Sequence, residues 1–261
     1  MPSTYAHFRF GSLLLPHMPG DVRRTILRFR QLFDVGLHGP DIFYFAPPPF
    51  QNNIRFLSVK FHEQSGREFF QRICRIARME RSEASQAYLY GVLCHYCLDA
   101  VCHPSMAKWM EEYKLTQLEI EAEFDRFLMV ADGRFPPNAQ EFTSHMQLTP
   151  GEADTVAKFY AGANGRSVLN CVKGMARTTR LSVTPEGARR SLVVKGVSLV
   201  DKELTEFIIP TKPNPRCAHL DKPLLALYRQ AQELFPQLLS QLQAHMTYNA
   251  LFGEDFTPIF G

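Results

Sequence analysis

Residues 88–104 read YLYGVLCHYCLDAVCHP, with His95, Asp99 and His103 standing four positions apart. At roughly 100° per residue, those three side chains fall within an arc of about 80° on one helix face. The residues around them are mainly Leu, Val, Tyr, Ala and Cys, so the helix is expected to be buried around most of its circumference. A carboxylate between two imidazoles in apolar surroundings is costly unless something neutralises it. A divalent cation does so, and His and Asp are ordinary zinc ligands. A buried His–Asp ion pair would account for one such residue. Three in register point to metal.

Upstream, Met1 to Gly20 reads as short and irregular, with His7 inside it. Asp21 can cap a helix running to Phe33, whose apolar side carries Ile26, Leu27, Phe29, Leu32 and Phe33. The stretch GLHGPDIFYFAPPPF at 36–50 cannot be helical, because Gly39-Pro40 breaks it and three prolines follow. Asp41 therefore stands on a rigid loop beside Phe43, Tyr44 and Phe45. These rings and Phe50 could line an apolar mouth, with at least half of them expected in the core. His62 opens a helical pattern that reaches Arg78. Ser82 and Ser85 precede the central helix, and Pro104 is expected to close it.

Downstream, Met106 to Lys114 forms a short amphipathic piece, and Leu115 to Val130 is strongly helical. Gln117, Glu121 and Asp125 recur on that helix at four-residue steps, a spacing expected of a solvated face. Further helices are read from Thr149-Pro150 to Ala161, from Ser167 to Leu181 and from Leu220 to Tyr248. Residues 182–215, rich in Pro, Gly and Val, look like an irregular excursion with room for a short hairpin. The expected fold is all-α, one domain over 1–261, with an irregular insertion in the second half.

The chain has 261 residues, is 45% apolar and 21% charged, and carries a formal charge of only +3. That balance gives no argument for nucleic acid or a membrane surface. No export signal is read: Leu13 to Leu15 is too short an apolar segment, and Pro16 and Pro19 follow it. The uncharged run Ala84 to Leu98 nears spanning length, but His95 interrupts it and Asp99 ends it, so it reads as a buried helix and not a transmembrane one. The expected compartment is cytoplasmic, and the six cysteines are then free thiols. Cys94 and Cys97 form a C-x-x-C with no second pair to complete a thiolate zinc site. Two arginine clusters, Arg23, Arg24, Arg28, Arg30 and Arg177, Arg180, Arg189, Arg190, read as solvated faces.

Taken together, TYAHFRFG, GLHGPDIFYF, FHEQSG, AYLYGVLCHYCLDAVCHP and EIEAEFDRF resemble the zinc-dependent phospholipase C family, which shares its fold with single-strand-specific zinc nucleases. The matching stretches span residues 4 to about 127. The resemblance implies a helical protein that cleaves phosphodiesters at a site of one to three zinc ions. Asp41, His62, His95 and Asp99 would hold one ion, Asp99 would bridge to a second held by His7, and His103 and Glu121 would hold the third. Asp41 would also position or deprotonate the attacking water. The implied substrate is a small phosphoester or a phospholipid head group, and nucleic acid is not an expected partner.

The chain departs from the family pattern in three places. Secreted members use a processed N-terminal Trp as a ligand, whereas this chain begins MPSTYAHF, so backbone groups of Pro2 or Tyr5 would have to substitute. The third site expects His where Gln117 stands, and a neutral amide is a poor zinc ligand. The last His of the central helix follows the Asp by four residues instead of six. A weak or empty third site is therefore expected, and a tightly filled one would require another residue, such as His145 or His219. The rival readings are a degenerate member that binds zinc structurally and acts as a binding or scaffold protein, and a single-strand nuclease.

Overall fold

The computed structural model describes residues 4–47, 51–200 and 203–259. It is all-α. In chain order the helices are α1 (Thr4–Leu14), α2 (Gly20–Arg28), α3 (Arg30–Gly36), α4 (Gln51–His62), α5 (Gly66–Glu80), α6 (Glu83–Tyr113), α7 (Gln117–Ala131), α8 (Pro150–Ala157), α9 (Gly165–Ser182), α10 (Ala188–Val200) and α11 (Asp221–Tyr248). Among the described residues there is no strand, only an isolated bridge between Ser65 and Ile259. No helix there is long and apolar enough to cross a membrane.

The residues of α6 explain its place at the centre. Val92, Leu93, Cys94, Tyr96 and Cys97 are all essentially inaccessible, so the helix is covered on every side along that length. Helices α1, α2, α3, α5, α7, α8 and α11 all pack against it. Its closest crossing is with α3. A Cβ at Gly91 would lie 2.2 Å from the Phe33 carbonyl oxygen, so only glycine lets the two backbones approach that far. The C-terminal segment is tied to the same helix, because the Tyr96 hydroxyl reaches the carbonyls of Asp255 and Pro258 at 3.0 and 3.1 Å.

Several boundaries differ from the sequence reading. The first twenty residues hold a true helix, so His7 sits on α1. The helix expected over 21–33 is two helices, broken at Phe29, whose backbone leaves the helical region at φ −122° and ψ 46°. His62 ends α4 and does not open the next helix; Ser65 caps α5 by accepting the Glu68 amide at 3.2 Å. Pro104 does not close α6. It removes one i→i−4 hydrogen bond, and the helix continues to Tyr113 on its packing. The excursion at 182–215 contains α10 and a 3-10 turn at Glu203–Phe207, and its described residues form no hairpin.

All six cysteines are free and buried. Phe43 is a core residue, Tyr44 and Phe45 are half-buried, and Phe50 lies outside the described residues.

Candidate metal centre

Four elements deliver six of the seven ligand-type side chains, and α7 adds Glu121. Helix α6 presents His95, Asp99 and His103 on one face, as their spacing requires. Helix α1 brings His7, α4 brings His62 at its last residue, and a 3-10 turn at Gly39–Phe45 brings Asp41. Gly39 makes that turn possible. Its φ is +45°, and a Cβ there would lie 2.4 Å from the His95 ring. The turn therefore closes directly over the central histidine.

The Asp99 carboxylate spans three imidazoles. Oδ1 lies 3.1 Å from His7 Nε2 and 3.4 Å from His103 Nε2, and Oδ2 lies 3.1 Å from His95 Nε2. Asp41 Oδ2 lies 4.0 Å from the same His95 Nε2, and Asp41 Oδ1 lies 2.9 Å from His62 Nε2. Ring nitrogen Nδ1 of His62 donates to the Ser58 carbonyl oxygen at 2.7 Å, which orients the ring and turns Nε2 toward the carboxylate. In the neutral imidazole that Nε2 is an acceptor facing an anionic acceptor. Such a contact calls for a cation, either a proton or a metal. The separations near 3 Å are close to the edge, about 3.3 Å, of a tetrahedron with bonds of roughly 2.0–2.1 Å.

Burial sets the electrostatics. It pushes His95 down to about 4, so the ring is neutral and able to donate a lone pair at ordinary pH. Burial alone would raise Asp99, but the neighbouring His95, His103 and His7 hold it well below the usual carboxylate range. Burial also works against ionised Asp41, and nearby positive charge, His62 and His95 included, more than offsets it. For His7 and His103 burial disfavours the cation, yet the Asp99 carboxylate outweighs it and raises both.

Two groups have ligand atoms all within 4.8 Å of one another: His7, His95 and Asp99, and Asp41, His62 and His95. His103 and Glu121 lie beside the first. Together with His7 and Asp99 they line a small, half-open cavity of about 30 Å³ between α1, α6, α7 and α11. Burial raises Glu121 to about 7. Its Oε1 accepts a hydrogen bond from Gln117 Nε2 at 2.8 Å, and its buried Oε2 has no hydrogen-bond partner among the described residues. The His7 Nδ1 is buried without one as well. Buried nitrogen and oxygen donors held this way, two of them without a hydrogen-bond partner among the described residues, fit zinc.

Helix α7 is not the solvated face its charge spacing suggests. Glu119, Glu121, Glu123 and Asp125 are all buried. Gln117 is half-buried and holds Glu121, so it is not a solvent-facing side chain. Asp125 accepts the amides of Tyr5 and Ala6 at 3.0 and 2.8 Å, which the sequence reading missed. Its only trace there was the four-residue step from Glu121. The Tyr5 N–H is thereby committed to Asp125, and Pro2 lies outside the described residues. His145 pairs with His38, Nε2 to Nε2 at 3.0 Å, and His219 packs its ring on Tyr113, so neither joins Glu121.

Of the seven ligand-type residues, His103 is the most exposed, at 15% of its side chain. A groove of about 410 Å³ begins there, lined by Met106, Ala107, Met110, Gln117, Pro258 and Ile259.

A helical bundle closed around buried His–Asp groups that could hold a metal ion is the class these features define. The family model for zinc dependent phospholipase C matches residues 6–165, more than half of the chain, and the chain belongs to that family. The match runs past residue 127, where the motifs legible in the sequence end. No curated protein and no solved structure matches the chain.

Proposed function

We propose that this protein is a zinc-dependent phosphoric ester hydrolase that cleaves a phospholipid at the phosphodiester on the glycerol side. The observation that carries the proposal is the Asp99 carboxylate, placed between His95 on one oxygen and His7 and His103 on the other. Asp41, His62, His95 and Asp99 would hold one zinc. Asp99 would reach a second ion with His7, and His103 with Glu121 would hold a third, more weakly. Bound zinc supplies a Lewis acid that brings the pKa of water to about 7 and offsets charge on the phosphoryl oxygens.

The chain's own residues then have separate tasks. Asp41 accepts a proton from the water that attacks phosphorus. The bond from phosphorus to the glycerol oxygen breaks, and that oxygen takes up a proton from solvent while Asp41 returns its own to solvent, giving a diacylglycerol and a phosphorylated head group. His62, locked through Ser58, keeps Asp41 in place. The groove beside His103 supports a lipid substrate: its walls are Met, Ala, Pro and Ile with the single amide Gln117, whereas strand recognition by a nuclease calls for a basic groove with stacking aromatics. The packing of α11 along α6 supports treating 1–261 as one domain. Six unpaired cysteines are in keeping with a cytoplasmic protein.

The test is zinc content and hydrolysis measured together on wild type and Asp99→Ala. Wild type should bind two or three zinc ions and release diacylglycerol from phosphatidylcholine micelles, with activity lost to a chelator and restored by zinc. Asp99→Ala should lose at least one ion and its activity. One or no zinc in wild type, with no hydrolysis, would support a structural zinc protein instead.

A further inference from the structure

We infer that Asp125 is a positioning residue for the metal centre: it fixes helix α1 on α7 so that His7 meets Asp99. The inference rests on the proposed reading of His7 and Asp99 as metal ligands.

The first amides of a helix have no partner inside it and carry the positive end of its dipole. In α1 two of them, Tyr5 and Ala6, point at one carboxylate, one to each oxygen, at 3.0 and 2.8 Å. Asp125 is 4% exposed, so the bonds are sheltered from water and an unmatched partner would be costly. His7 is the next residue along the chain, and its Nε2 lies 3.1 Å from Asp99 Oδ1. A shift of α1 along its axis therefore appears undiminished at that contact.

Two further ties restrain the helix without setting its axial position in the same way. Arg9 and the Tyr5 hydroxyl hold Asp132 on the exposed side, and the Tyr228 hydroxyl donates to the Ala6 carbonyl at 3.4 Å. Asp125 also stands one turn beyond Glu121 on α7. One helix thus offers Glu121 to the cavity and, four residues later, clamps the helix that brings His7 to the same cavity. The clamp makes the spacing between the two side chains a property of rigid elements. Partners of this kind typically change metal affinity by roughly 10–100-fold when removed.

The experiment is a competition titration with zinc and a chromophoric chelator, on wild type, Asp125→Asn, Ala6→Pro, His7→Ala and the double variant Asp125→Asn/His7→Ala. Asp125→Asn keeps the shape but can accept only one of the two amides. Ala6→Pro removes one donor from the other end of the same contact, and proline is tolerated in a first helical turn. Both should bind one zinc equivalent about 10-fold or more weakly, with the tightest equivalent unchanged. The double variant should bind no less zinc than His7→Ala alone. Zinc affinity equal to wild type in either folded variant overturns the inference. Failure of both variants to show a helical circular dichroism spectrum also overturns it, since Asp125 would then serve the whole fold. Fewer than two zinc ions on wild type would refute the metal-centre reading itself, independently of Asp125.

Discussion

Asp41 Oδ1 lies 2.9 Å from His62 Nε2, while the other nitrogen of that ring donates to the Ser58 carbonyl. Two acceptors so placed and so buried need a positive charge between them. Zinc binding at this pair gives a first expected outcome. Zinc at 100 times its dissociation constant should stabilise the fold by about 2.7 kcal/mol. For a chain of this size that raises the midpoint of thermal unfolding by roughly 5–10 °C. Calorimetry with chelator and then with zinc checks it, and an unchanged midpoint would be contrary.

Gly39→Ala should damage both fold and site. The added Cβ lands 2.4 Å from the His95 ring at a φ of +45°, which L side chains rarely adopt. Strain of this kind costs on the order of 1–3 kcal/mol, before the clash is counted. Urea unfolding should show that loss, and zinc affinity should fall with it because Asp41 rides on the displaced turn. Gly133→Ala has a positive φ but no neighbouring atom within 4 Å, and it should leave zinc affinity unchanged.

Gln117→Ala should weaken zinc binding at the third position without touching the others. The amide holds Oε1 of Glu121 and leaves Oε2 to face the cavity. Loss of that hydrogen bond frees the carboxylate to rotate, and the weakest zinc equivalent should bind about tenfold less tightly. Isothermal titration resolves the equivalents. Gln117→His should not add a zinc ion, because it removes the group that aims Glu121.

The His38–His145 pair has a pH signature. Burial pushes His145 down to about 4. An unfolded histidine titrates near 6.5, so between pH 6.5 and 4 the unfolded chain binds a proton that the folded chain refuses. The associated stability is fully present above pH 6.5 and is lost as pH falls toward 4, by up to about 3 kcal/mol. His145→Gln should flatten that slope by nearly one proton per chain in zinc-free protein. Chemical unfolding at several pH values measures it, and an equal slope in both proteins would contradict the assignment.

How much of this was legible in the sequence varies along the chain. The face carrying His95, Asp99 and His103 was readable because spacing alone sets direction on a helix. Asp41 was readable too, since Gly39-Pro40 allows only a turn. His7 was found as a residue but not as part of a helix: TYAHFRFGSLL is short and holds a glycine, and its first turn is stabilised by Asp125, 119 positions away. Tertiary packing likewise carries α6 through Pro104. Glu121 and Asp125 were misread as solvated because most partners of the acids on α7, Gln117 and Arg126 apart, come from distant segments: Asn214 and Arg216 at Glu119, Asn214 at Glu123, and the α1 amides at Asp125. The spacing of charges along one helix says nothing about which of its faces other elements will cover.

The central claim is that Asp99 joins two zinc ions. Crystals of the zinc-loaded protein, measured above and below the zinc absorption edge, test it most directly. The account expects two anomalous peaks roughly 3.5–4 Å apart, each about 2.0–2.2 Å from a different oxygen of Asp99. One peak should be ringed by Asp41, His62 and His95, and the other should lie against His7. A single peak that Asp99 does not touch, or one from which Asp41 and His62 are absent, would contradict it.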